Sequence, residues 1–227
     1  DGTFTYTPTP GEVGDVSFDY QIVDGDGDPS VATATITLIA DSSPKITMTN
    51  AVVDEDGLKG ANVDADPLQT APAETNSTEN ATGSNTVTVD FGSDRPAPAD
   101  WLAAFKFVDT AALDTQVKTL DGNAVTFAVE AGVLVGRDSG GALVMTLTAS
   151  DAVANGATGV IYTIVTQLFQ PVQHADDESE NSVNLTGVSF EVTDIDGTTN
   201  DGSFAVEIVD DVPTAIADGP AIQATEN

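Results

Sequence analysis

Alternation with a period of two runs through almost the whole chain. The segments VSFDYQIV (16–23), VATATITLIA (31–40), NTVTVDF (85–91), AVTFAVEAGVLV (124–135), ALVMTLTA (142–149), GVIYTIVTQLF (159–169), VNLTGVSFEV (183–192) and GSFAVEIV (202–209) are short and rich in Val, Ile, Thr and Phe. Gly, Asp, Asn or Pro bounds each of them. In an extended strand successive side chains point to opposite faces, so such a pattern buries one face and wets the other. The chain is therefore expected to be all-β, built from tandem β-sandwiches. One segment departs from the period: PADWLAAFKFV (98–108) predicts one short helix, capped by Asp100, that plugs a sandwich end with Trp101 as its core anchor.

The second constraint is internal repetition. FDYQIVDGDG (18–27) aligns without a gap with VSFEVTDIDG (188–197), matching Asp24 with Asp194, Asp26 with Asp196 and Gly27 with Gly197. Each copy continues through one more alternating strand into an acidic link that contains Pro. The first link is Asp41, Ser42, Ser43 and Pro44; the second is DDVP (210–213). An acidic segment follows each link, VVDEDGL (52–58) after the first and the stretch 216–227 after the second. The expected organisation is the C-terminal part of a β-sandwich repeat over 1–43, a complete sandwich over 44–213, and the start of a further repeat or linker over 214–227.

Charge narrows the chemistry. Six Lys and Arg stand against 37 Asp and Glu, for a net charge of −31, which excludes nucleic acid and direct membrane insertion as modes of action. Most of the acid is Asp, which suits turns and hard-cation coordination better than helix interiors. In DGDGD (24–28) three carboxylates share five positions. Two unit charges about 4 Å apart repel by roughly 4 kcal/mol at an effective dielectric near 20, so the turn either splays into water or holds a cation. Its recurrence beside an acidic link favours the cation. The expected ligands are Asp24, Asp26, Asp28, Asp41, Asp54, Glu55 and Asp56 at the first junction, and Asp194, Asp196, Asp210 and Asp211 at the second. A site of many flexible oxygens suits Ca²⁺ better than Mg²⁺, which demands a near-ideal octahedron. This is not an EF-hand, because the twelfth position counted from Asp24 is Thr35.

Other features point to less. The chain has no Cys, which removes disulfides, thiolate metal sites and a Cys nucleophile. His174 is the only His. It is expected to be a packed or exposed side chain rather than a ligand, with Asp176, Asp177, Glu178 and Glu180 just beyond it as a separate candidate Ca²⁺ loop. No nucleophile motif accompanies His174, so catalysis has no support and the chain is not expected to be an enzyme. AETNSTENATGSN (73–85) predicts a polar loop, or a place where an inserted module is accepted.

The D-x-D-G turn, final strand and DDVP ending, the VDEDGL opening and YTIVTQLFQPVQH (161–174) resemble the repeats of giant bacterial RTX-type adhesins exported by type I secretion. Residues 1–43 are similar to the end of a cadherin-like or Ig-like repeat. Residues 44–213 resemble the larger type I secretion target or "split" domain. The resemblance implies a Ca²⁺-rigidified extender or scaffold segment of an extracellular, cell-surface adhesin that supports adhesion or biofilm formation. It implies a monomer whose partners are neighbouring repeats of the same chain and an inserted or adjacent ligand-binding module. The alternative within the same family is a domain that itself binds a glycan or peptide through Ca²⁺. Two departures stand out: Thr198 occupies the place of Asp28 in the second turn, and the nonapeptide RTX repeat is absent.

Overall fold

The computed structural model describes residues 3–9, 12–58, 81–108, 110–175 and 181–211. Its twelve strands are β1 (Gly14–Val23), β2 (Pro29–Leu38), β3 (Lys45–Met48), β4 (Ala51–Asp54), β5 (Thr82–Asp90), β6 (Phe105–Phe107), β7 (Thr126–Glu130), β8 (Val133–Arg137), β9 (Leu143–Asn155), β10 (Gly159–Leu168), β11 (Ser182–Thr193) and β12 (Thr199–Val209). They form three sheets. β1 and β2 make an antiparallel hairpin by themselves; β3-β5-β10-β9-β8-β7 make a six-stranded sheet; β4-β12-β11-β6 make a four-stranded one.

Every neighbouring pair in the six-stranded sheet is antiparallel. In the four-stranded sheet β4 runs parallel to β12, pairing Ala51 with Val206 and Asp54 with Val209, while the other neighbours are antiparallel. The inner faces of these two sheets make one core. Val87, Val89, Tyr162 and Ile164 of the larger sheet face Val53, Val188, Phe190, Val206 and Ile208 of the smaller, all fully buried. Burial of each such side chain contributes about 1.5–3 kcal/mol. Phe105 ties the layers together, stacking on Phe190 with ring centroids 5.0 Å apart and tilting against Tyr162 at 5.4 Å.

Two glycines are required by close approach. A Cβ at Gly83 would lie 1.8 Å from the Val52 carbonyl oxygen, where β5 crosses β4, and one at Gly202 would lie 2.4 Å from the Phe190 ring of its cross-strand partner.

The structure differs from the sequence expectations in detail. The helix expected over 98–108 is two successive 3-10 turns, Pro98–Asp100 and Leu102–Ala104, followed by β6; Asp100 ends the first turn and caps nothing. Trp101 is nonetheless buried, with Nε1 donating to the Pro96 carbonyl at 2.8 Å and Arg95 over its ring. The stretch 124–135 divides into β7 and β8 because Ala131 and Gly132, both at positive φ, form a tight hairpin turn. Residues 82–85 belong to β5 rather than to a loop. The rest of 73–85, the acidic loop 176–180 and the segment 214–227 lie outside the described residues, Ala81 apart.

Candidate functional site

The two D-x-D-G turns are one structure built twice. In the first, Asp24 Oδ1 accepts from Gly27 N at 3.1 Å and Asp28 N at 2.8 Å; in the second, Asp194 Oδ1 accepts from Gly197 N at 3.0 Å and Thr198 N at 2.8 Å. Gly27 and Gly197 both sit at φ 100°, a conformation that suits a residue without Cβ. Each turn closes an antiparallel hairpin, β1–β2 or β11–β12.

The hairpins decide which acids meet. Ten extended residues cover about 33 Å, so a turn and the far end of its own strand lie at opposite poles. Asp41, three residues beyond β2, therefore does not join Asp24, Asp26 and Asp28, and Asp210 and Asp211, just beyond β12, do not join Asp194 and Asp196. The junction groupings expected from the sequence are corrected accordingly. Asp24, Asp26 and Asp28 form an exposed group of their own. Asp41 meets Asp194 and Asp196, each offering one carboxylate oxygen within 4.8 Å of the others. Glu55 meets His174 and Asp210 within the same distance.

At the aspartate pole, the link is stitched onto the sandwich. Ser42 donates to Asp94 Oδ2 from both its backbone N (2.9 Å) and its Oγ (2.8 Å), Ile195 N donates to the Asp94 carbonyl at 3.0 Å, and Asn200 Nδ2 donates to the Pro44 carbonyl at 2.7 Å. Asp94 thus joins the link to the turn. The sequence reading missed it because it lies in an ordinary turn between β5 and the 3-10 segment. Asp194 is only 6% exposed, and its Oδ2 is buried with no hydrogen-bond partner. Burial first, and then Asp196 beside it, push the Asp194 pKa up; partial desolvation and Asp196 likewise raise Asp41. Among the described residues no Lys or Arg makes an ion pair with Asp41, Asp94, Asp194 or Asp196. A buried carboxylate oxygen lacking any donor, facing two more carboxylates, is the arrangement a hard cation would complete.

At the histidine pole, the parallel pairing of β4 and β12 carries Glu55 and Asp210 to one end. Asp54 caps the 3-10 turn Glu55–Gly57, accepting from Asp56 N at 3.0 Å, and this turns the Glu55 side chain inward. Glu55 is 3% exposed; its Oε1 accepts from Val172 N at 2.7 Å and lies 3.1 Å from His174 Nε2. The Asp210 Oδ1 lies 4.0 Å from the same nitrogen. Burial works against a charged ring, but Glu55 and then Asp210 outweigh it and hold the His174 pKa above its ordinary value of 6.5. His174, expected to be a packed or exposed side chain rather than a ligand, is packed, and its packing partners are the two acids of this cluster. Asp54, Asp56 and Asp211 lie half-buried at this pole.

The family model of the bacterial Ig domain matches residues 1–37, the β1–β2 hairpin and the residues leading into it. No curated protein and no solved structure matches the chain. Bacterial Ig-like domains are typical of surface proteins, the fold is all-β, and no helix among the described residues is long and apolar enough to cross a membrane.

Proposed function

We propose that this chain is a Ca²⁺-stiffened extender segment of a type I-secreted bacterial surface adhesin, acting as a scaffold in adhesion or biofilm formation rather than as a catalyst. The observation that carries this reading is the convergence of the link carboxylate Asp41 on the buried, donor-less Asp194 and its neighbour Asp196. These three, with Asp94 holding the link in place, are the residues that would take the ion. A divalent cation there neutralises the repulsion and adds to the Ser42–Asp94 and Asn200–Pro44 bonds that hold the link, so the joint between hairpin and sandwich stiffens when Ca²⁺ binds. Asp24, Asp26 and Asp28 form an exposed set at the first turn that no remote carboxylate closes among the described residues, so it would hold an ion far more weakly.

Small-angle scattering tests the reading. Millimolar Ca²⁺ is expected to convert a flexible profile in chelator to that of a rigid particle, and Asp41→Asn to restore flexibility while the sandwich stays folded. Identical interdomain flexibility with chelator and with Ca²⁺ would overturn the spacer role.

A further inference from the structure

We infer that the Glu55–His174–Asp210 cluster is a second metal site of different chemistry, selective for Zn²⁺ or a neighbouring first-row dication rather than Ca²⁺. Three segments far apart in sequence deliver one donor each to a buried point: a 3-10 turn, the stretch after β10 and the end of β12. The spacings of 3.1 and 4.0 Å around His174 Nε2 bracket the roughly 3.4 Å edge of a tetrahedron with 2.0–2.1 Å metal–ligand bonds. Spacing alone would admit Ca²⁺ as well. The imidazole decides, because Ca²⁺ takes oxygen donors whereas a neutral ring nitrogen suits Zn²⁺, Ni²⁺ or Cu²⁺.

Charge also favours an ion over a simple ion pair. Two carboxylates face a single imidazole whose side chain is 4% exposed, and no Lys or Arg among the described residues pairs with either, so even a protonated ring leaves one negative charge without a counter-charge there, Asp210 being 22% exposed. A dication with a neutral ring balances both. The surrounding groups already orient the donors: Val172 N donates to Glu55 Oε1, and Asn181 Nδ2 donates to Asp210 Oδ2 at 3.2 Å, leaving Oδ1 toward the ring. His174 Nδ1 is buried and makes no hydrogen bond, so among the described residues the groups that hold a proton on the ring are the two carboxylates at Nε2, which an ion there would take over. A metal here would staple the loop after β10 to the ends of β4 and β12.

Because His174 is the only His, its two ring nitrogens are unambiguous in a long-range ¹H–¹⁵N spectrum of the wild-type chain. With Ca²⁺ held saturating, one equivalent of Zn²⁺ is expected to shift the Nε2 resonance in slow exchange. His174→Gln should weaken the tightest Zn²⁺ binding by about 100-fold or more while leaving Ca²⁺ binding intact. Asp196→Asn should do the reverse, which separates failure of this inference from failure of the Ca²⁺ reading. An unmoved Nε2 resonance, Zn²⁺ binding equal in wild type and His174→Gln, or displacement of Zn²⁺ by millimolar Ca²⁺ would each overturn the assignment.

Discussion

The turns Asp24–Asp28 and Asp194–Thr198 share the same hydrogen bonds from their leading carboxylate and a glycine at the same φ, yet their electrostatics run in opposite directions. A proton shared with the Asp26 carboxyl and the Asp28 backbone N–H hold Asp24 below the ordinary Asp range. Burial and then Asp196 push Asp194 above it. The difference comes from what reaches the turn. Asp24 lies in the open, whereas the link carrying Asp41 and Ser42 has been laid across Asp194 and pinned there by Asp94. A D-x-D-G turn is a local fold, and it becomes a site only when a remote segment closes over it.

The sharpest way to break the comparison is to delete each leading carboxylate. Asp194→Ala is expected to weaken the tightest Ca²⁺ binding by about 100-fold, or about 2.7 kcal/mol. The matching Asp24→Ala, made in a turn with the same hydrogen bonds, should change that affinity by less than about threefold. Calorimetric titration after exhaustive chelation reads both, and equal losses would mean that the buried setting of Asp194 is irrelevant.

Backbone cost, by contrast, should be nearly the same at the two places. Gly197→Ala and Gly27→Ala each force an L side chain into positive φ, at about 1–2 kcal/mol. Chemical denaturation of the sandwich should register that loss for Gly197→Ala. For Gly27→Ala it should appear only as faster hydrogen exchange in the β1–β2 turn.

The smallest expected effect is in pH, and its sign separates the turns. Asp194 and Asp41 have folded pKa values above their unfolded ones. In chelator, the stability they contribute is therefore fully present below the ordinary carboxylate pKa and is lost as pH rises through the raised values. Asp24 has a lowered pKa, so its contribution is present at higher pH and is lost as pH falls. Asp194→Asn should accordingly flatten the decline of stability with rising pH, and Asp24→Asn should not. Denaturant unfolding from pH 4 to 7 checks it.

Much of the fold was legible because long strands announce themselves. β10 alternates buried and half-buried positions along nearly its whole length, as GVIYTIVTQL implies. What escaped was short or split: β3, β4 and β6 have three or four residues, too few for a period to show, and β7–β8 reads as one run until the backbone reverses at Ala131–Gly132. The acids themselves were legible but their partners were not. Strand length alone could have corrected this, since a turn and the end of its own ten-residue strand lie about 33 Å apart. His174 and Asp94 gave no such signal. Glu55 and His174 are 119 residues apart, and Ser42 and Asp94 are 52 apart, with nothing periodic to link them.

The parallel pairing of β4 with β12 has a mechanical consequence. Pro44 lies at the aspartate pole, and β12 carries the chain to Asp211 at the histidine pole. Tension applied at Pro44 and Asp211 reaches β4 through β3, which is paired with β5, and then pulls the start of β4 and the end of β12 in opposite directions along their common axis. The rungs from Ala51–Val206 to Asp54–Val209 are then loaded together in shear instead of being peeled one at a time, and the bond from Ala205 N to Asn50 Oδ1 shares the strain. A module strung this way meets stretching with its four β4–β12 rungs together, the loading under which a strand pair yields last.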